Sequence, residues 1–225
     1  MPPEESPVVA LSVRGVHVEL AGTAVLRGID LEVAPGRLSV IAGPNGAGKS
    51  TLLEVLAGTR APSVGVLGGG AVSRAFVPQR AGVSETLPLT VRDVVTVGAW
   101  GRVGPWRRLD RRARRAVDAA IERLDLVALQ RTSFGALSGG QRQRTLLAQG
   151  LARGADALLL DEPTTALDAG SAERILEAVR IEADRGAAVV CVSHDQALID
   201  AADVVIRLEA GRVASVRRAL PAPRA

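Results

Sequence analysis

In the first third of the chain, apolar and polar positions alternate in the manner of half-buried strands. Ile29, Leu31 and Val33 are separated by Asp30 and Glu32, and Ala34-Pro35-Gly36-Arg37 then turns into the run Leu38-Ser39-Val40-Ile41-Ala42. A glycine-rich loop follows, with a short helix expected from about Lys49 to Ala57. Ser63 to Gly70 reads as loop with short strand pieces. The period changes after Pro88, and Thr90 to about Gly150 reads as largely helical. There Val117, Ile121 and Leu124 line one face, while Arg111, Arg112, Arg114, Arg115 and Arg123 crowd the rest. Strand and helix then alternate again. Ala157 to Leu160 and Ala187 to Val192 read as buried strands on either side of a helix from about Ala169 to Arg185. A final hairpin is expected around Glu209-Ala210-Gly211, and Leu220 to Ala225 reads as a frayed tail. No internal repeat is evident and no linker separates two full domains. This order predicts an α/β fold with a mostly parallel sheet and a helical insertion.

Bulk properties narrow the function classes. The 225 residues are enough for one domain with a sizeable core, and 47% of them are hydrophobic. No apolar run reaches membrane-spanning length, and the first residues carry no basic, apolar leader pattern, so a cytosolic location is expected. The single Cys191, in Val-Val-Cys-Val, reads as a small buried hydrophobe. The arginine cluster lacks interleaved aromatics, which favours a solvated helix face over a nucleic-acid patch. The only lysine in the chain is Lys49. In so arginine-rich a chain, that position needs a compact ammonium which a planar guanidinium cannot replace.

Lys49 belongs to Gly43-Pro44-Asn45-Gly46-Ala47-Gly48-Lys49-Ser50, which fits G-x-x-x-x-G-K-[ST] between an apolar strand and a helix start. Its glycines let successive N–H groups face phosphates, with help from the helix N-terminus. Lys49 is expected on the β- and γ-phosphates, Ser50 on Mg²⁺, and Thr51 at a cap or a phosphate. Asp161, ending Leu158-Leu159-Leu160-Asp161-Glu162, is a second candidate Mg²⁺ holder. Glu162 is the candidate to polarise an attacking water.

Leu137-Ser138-Gly139-Gly140-Gln141, together with these loops, resembles the ABC ATPase family, whose signature reads LSGGQ. Gln79 in Phe76-Val77-Pro78-Gln79 resembles that family's Q-loop glutamine, Ala166-Leu167-Asp168 its D-loop, and His194 in Val192-Ser193-His194-Asp195 its switch histidine. The resemblance covers about residues 8–217. It implies a P-loop NTPase core with an N-terminal antiparallel β-subdomain and a helical subdomain at about 86–152, leaving 1–7 and 218–225 as flexible termini. It also implies hydrolysis of Mg-ATP, with Glu162, His194 and Lys49 catalytic and Gln79 sensing Mg²⁺ and a permease. Ser138, Gly139, Gly140 and Gln141 would form a second anion nest, serving the nucleotide of another copy in a head-to-tail dimer. The expected partners are that second copy, an integral membrane permease and, through it, a substrate-binding protein. No nucleic acid is expected, and the chain is placed at the cytoplasmic face of the membrane.

One position departs from the family pattern. An aromatic ring usually stacks on adenine a few residues before the position of Val25-Leu26, and Leu20 stands there. Losing such a platform costs roughly 1–3 kcal/mol by analogy with base stacking, which apolar packing from Leu20 or Val25 can offset in part. The stretch from Leu87 through Trp100-Gly101-Arg102 and Trp106 resembles the zinc/manganese importer branch. Its tryptophans read equally as subdomain core or as a docking surface. The competing classes are an ABC ATPase for another cargo, a soluble one acting on nucleic acid or ribosomes, and a regulator without turnover.

Overall fold

A computed structural model of the chain describes residues 10–79, 88–103, 108–165 and 167–219. Two strands, β1 (Leu11–Leu20) and β2 (Thr23–Val33), open the fold as an antiparallel hairpin. Then come β3 (Leu38–Ala42), α1 (Lys49–Ala57), β4 (Val64–Gly68) and β5 (Arg74–Val77). The helical insertion comprises α2 (Val91–Val103), α3 (Arg111–Arg123) and α4 (Gly139–Arg153). The chain returns through β6 (Ala157–Asp161), α5 (Ala169–Asp184), β7 (Ala188–Val192) and the short α6 (Gln196–Ala201). It ends in the hairpin β8 (Val204–Glu209) and β9 (Arg212–Arg218).

Two sheets result. A three-stranded antiparallel sheet runs β2-β1-β4, and a six-stranded sheet runs β5-β6-β7-β3-β8-β9. Within the larger sheet only the β8–β9 pair is antiparallel. Its central strands are buried on both faces, as strands between covering layers must be, and their side chains divide by the strand period of two. Leu158, Leu160, Val189 and Cys191 join the core under the inserted helices and α5. Leu159, Val190, Val192 and Ile41 join the core shared with α1 and the smaller sheet. Cys191 is fully buried, and burial pushes its thiol up to about 12, consistent with the expected hydrophobe.

The expected helices and central strands agree with the structure to within a residue or two. Val117, Ile121 and Leu124 are buried, and Arg111, Arg112, Arg114 and Arg115 are exposed. Arg123 departs from that solvated face: it pairs at 2.8 Å with Glu182 of α5, a buried carboxylate also held by Arg185. The chain is also ordered slightly past the expected boundary at 217. Arg218 pairs with Val204, and the Ala219 N–H donates to the Asp203 carbonyl at 2.7 Å. Of the expected flexible termini 1–7 and 218–225, residues 1–7 and 220–225 lie outside the described residues. No described helix is long and apolar enough to cross a membrane.

Candidate active site

Strand register decides where the chemistry gathers. Ile41 of β3 pairs with Val192 of β7, and Val192 also pairs with Asp161 of β6. The three strands are parallel and end level, so the segments that follow them emerge side by side. These are the loop from Gly43, the turn from Glu162, and Ser193-His194. The carboxyl ends of parallel strands are where such sheets place ligand sites.

The loop of residues 43–48 has left-handed backbone at Gly43 (φ 145°), Gly46 (φ 78°) and Gly48 (φ 96°). Gly43 is fixed by proximity as well. A Cβ there would stand 2.1 Å from the Leu208 carbonyl oxygen, so β8 is packed directly on this backbone. At Gly48 the crowding comes from Val25 O (3.0 Å) and Leu26 Cδ2 (2.8 Å). Helix α1 therefore begins on a glycine with no side-chain cap and no acidic residue in its first turn. By contrast α3, α4, α5 and α6 are capped by Asp110, Ser138, Asp168 and Asp195. Helix geometry leaves the first amides of α1 without intrahelical acceptors, a ready anion cradle. Lys49 is 8% exposed, and its Nζ donates to the carbonyls of Gly43 (2.9 Å) and Pro44 (3.0 Å), spanning the loop. Pro44, Asn45 and Gly46 form the exposed outer part of the loop, Ala47 is buried beneath it, and Thr51 sits half-buried in the first turn of α1.

Ser50 Oγ donates to Asp161 Oδ1 at 3.1 Å, joining the helix start to the end of β6. Burial pushes the Asp161 carboxyl above its ordinary range, and the neighbouring Glu162 and Glu54 charges add to this. The Ser50 hydrogen bond and Lys49 oppose it. A hydroxyl and a buried carboxylate in contact are the hard oxygen donors that suit Mg²⁺. The residues present therefore fit a Mg²⁺-bound phosphate.

Glu162 follows with φ 50°, uncommon for a residue with a side chain. Its N–H donates to the Val192 carbonyl at 2.9 Å. Its carboxylate receives two neighbours: Thr165 Oγ1 donates to Oε2 at 2.9 Å, and His194 Nδ1 lies 3.0 Å from Oε2 and 3.2 Å from Oε1. The structure thus brings together Gly43–Thr51, Asp161, Glu162 and His194. Backbone held in a sparsely populated conformation at a polar cluster is where strain accompanies function.

Other expected site residues stand apart. Gln79 is exposed just beyond β5, and the following residues 80–87 lie outside those described. Ser138 caps α4 through a reciprocal box: the Gln141 N–H donates to Ser138 Oγ (3.3 Å), and the Ser138 N–H donates to Gln141 Oε1 (2.9 Å). The S-x-x-Q spacing carries that box in the sequence. The box uses the hydroxyl as an acceptor, so its O–H and the amides of Gly139 and Gly140 remain to meet an anion. Ser138 and Gly139 are exposed. Ala166 of the D-loop stretch lies outside the described residues. Asp168 caps α5, and its carboxyl is held low by hydrogen bonds from Ser171.

Leu20 ends β1 half-buried and packs against the core of the smaller sheet. It is Val25, rather than Leu20, that the structure places against the start of α1. Trp100 is 37% exposed and Val97 41% exposed on α2, so neither is subdomain core, and Trp106 lies outside the described residues. Sequence reasoning missed Thr165, although its place three residues after Glu162 fits a turn that returns its hydroxyl to that carboxylate.

The ABC transporter family matches residues 26–165. The chain is 41% identical to the hemin import ATP-binding protein HmuV of Rhodococcus jostii (strain RHA1), over 95% of this chain and 76% of that one. It is 36% identical to the zinc import ATP-binding protein ZnuC of Alcanivorax borkumensis (strain ATCC 700651 / DSM 11573 / NCIMB 13689 / SK2), over 88% and 74%. A solved structure of an inward-facing ABC transporter described as metal-chelate type superimposes with a TM-score of 0.81 at 28% identity, covering 94% of this chain and 84% of that one. The resemblance is therefore not specific to the zinc/manganese branch, because a hemin import subunit matches at higher identity and over more of the chain. With the glycine loop, the Ser50–Asp161 pair and Glu162 gathered at the carboxyl ends of the parallel strands, the chain belongs to the ABC transporter family as an ATP-binding, ATP-hydrolysing subunit.

Proposed function

We propose that this chain powers an importer permease, working as a head-to-tail dimer with its ATP sites at the interface, at the cytoplasmic face of the membrane. The observation that carries the ATPase part of the reading is the grouping of Lys49, Ser50, Asp161, Glu162 and His194 at the carboxyl ends of the parallel strands, and the importer part is supported by the import subunits the chain resembles. Lys49 and the first amides of α1 bind the β- and γ-phosphates and neutralise charge as the terminal bond breaks. Ser50 and Asp161 hold Mg²⁺, with Gln79 as a further ligand and sensor from the permease side. Mg²⁺ held there would supply positive charge against the terminal phosphates. Glu162 accepts the proton of the attacking water, and His194 holds that carboxylate in line and reaches the γ-phosphate. The exposed Ser138 hydroxyl, with Gly139, Gly140 and Gln141 behind it, completes the site of the opposite copy. Val25 and Leu20 supply an aliphatic edge for adenine.

The cargo belongs to the metal class, and a chelated metal such as hemin is supported over bare zinc or manganese. The 41% identity to a hemin import subunit spans nearly the whole chain, whereas the zinc import relative stands at 36%. The half-exposed Val97 and Trp100 are suited to docking the permease. A substrate-binding protein is expected to act through that permease, and no nucleic acid takes part.

Two experiments test this. Glu162→Gln should lower ATP turnover by about 100-fold or more while retaining ATP and trapping the dimer. Turnover at the wild-type rate would remove Glu162 from the mechanism. Uptake of labelled hemin, zinc and manganese should be compared between a deletion strain and its complemented parent. Loss of hemin uptake alone supports the chelate reading, and loss of zinc or manganese uptake alone returns the cargo to the bare ions.

A further inference from the structure

The Glu162 carboxylate needs a fixed orientation if one oxygen is to take a proton from water, and its main chain supplies only part of it. The left-handed φ and the bond to the Val192 carbonyl fix the backbone, yet three side-chain torsions remain. His194 is a loose clamp, since its side chain is 73% exposed and its Nδ1 is shared between both carboxylate oxygens at 3.0 and 3.2 Å. Thr165 differs in kind. Its N–H donates to the Glu162 carbonyl at 3.3 Å, closing a turn, and its hydroxyl donates to Oε2 at 2.9 Å. A β-branched residue tied by its own backbone gives up little freedom in making that bond.

We infer that Thr165 is a positioning residue for the hydrolytic step: its hydroxyl pins Oε2 of Glu162 and leaves Oε1 to accept the proton of the attacking water. The inference rests on the assignment of Glu162 as the proton acceptor. Oε2 carries the Thr165 donor and one His194 contact, while Oε1 carries only the longer His194 contact, so Oε1 has the freer lone pairs. Both hydrogen bonds of Thr165 run to Glu162. Its effect therefore falls on turnover and not on nucleotide binding.

The test uses the full chain, with Thr165→Val, Thr165→Ser and Glu162→Gln assayed in parallel. Thr165→Val keeps shape and removes the donor, and should lower kcat about tenfold with KM for ATP unchanged to within about twofold. Thr165→Ser restores the donor and should recover kcat to within about threefold of wild type. ATP should bind Glu162→Gln and the Glu162→Gln/Thr165→Val double variant equally well. Wild-type kcat in Thr165→Val, a raised KM at constant kcat, or no recovery with serine would each overturn the role of Thr165. Full turnover by Glu162→Gln would instead overturn the underlying assignment of Glu162, so the two failures are distinguishable.

Discussion

Replacing Gly43 by alanine tests whether the phosphate loop is shaped by the strand beside it. The new Cβ would stand 2.1 Å from the Leu208 carbonyl oxygen and 3.1 Å from its carbon, on backbone at φ 145°. An ordinary carbon–oxygen contact is near 3.3 Å, so loop and β8 must separate by about 1.2 Å. Backbone strain of about 1–3 kcal/mol and overpacking of about 1–3 kcal/mol sum to roughly 2–6 kcal/mol. For a domain of this size each kcal/mol lowers the melting temperature by about 2–4 °C. Gly46→Ala is the internal control, because its φ is also positive (78°) but its Cβ meets nothing within 4 Å. That variant should lose only about 1–2 kcal/mol of conformational preference. Thermal melts without nucleotide, followed by circular dichroism, separate the two. The ATPase rate of Gly43→Ala should fall by about 100-fold, since a misplacement near 1 Å is enough for that. If Gly43→Ala melts no lower than Gly46→Ala, the loop is not braced by Leu208 and the steric argument fails.

Two further outcomes follow from carboxylates held by distant partners. Glu182→Ala leaves Arg123 and Arg185 facing each other where a carboxylate only 7% exposed had held both. It should cost about 1–3 kcal/mol in urea unfolding, and an unchanged midpoint would count against any tie between α3 and α5 at this residue. Asp156 is held below the ordinary carboxylate range, chiefly by the Ser73 hydroxyl and then by the Ser73 N–H. A depressed folded pKa gives stability that is present above the unfolded value and lost as pH falls through the folded one. Wild-type protein should therefore lose stability on acidification below the carboxylate range, and Asp156→Asn should lose less. Parallel acid limbs for the two would refute the Ser73 contribution.

What was legible in the sequence was what local chemistry dictates. The strand before Gly43, the helix from Lys49 and the buried run ending at Asp161 each carry their period and breakers within a dozen residues, and the observed elements match. The turn at Ala210-Gly211 (φ 44° and 77°) is of the same kind. Contacts between distant segments were not legible. The order β5-β6-β7-β3-β8-β9 depends on crossovers, so neither Leu208 against Gly43 nor Val25 against Gly48 leaves a mark on adjacent residues. The contact of Val25 with Gly48 is of this long-range kind. Arg123 looked like its exposed neighbours because its partner Glu182 lies 59 positions away in the chain.

The same division explains why one cation type was kept distinct. Arginines of this chain act as forks that tie distant elements, as Arg180 does on Asp203 and the Ala201 carbonyl (3.0 and 3.2 Å), and Arg185 on Glu182 and the Ala155 carbonyl. Planar, multi-donor groups suit such bridging, and side chains at 36% and 44% exposure leave room for them. Lys49 has a different task. Its ammonium lies inside a six-residue arch, 8% exposed, within 3.0 Å of two carbonyls of that arch. A guanidinium is planar and wider, and would have to fit the same nearly buried space. A compact charge with three rotatable donors can hold two carbonyls and turn to a phosphate without moving the loop. The single lysine of this arginine-rich chain therefore stands where a compact, nearly buried donor joins two loop carbonyls, at the position proposed for the phosphates.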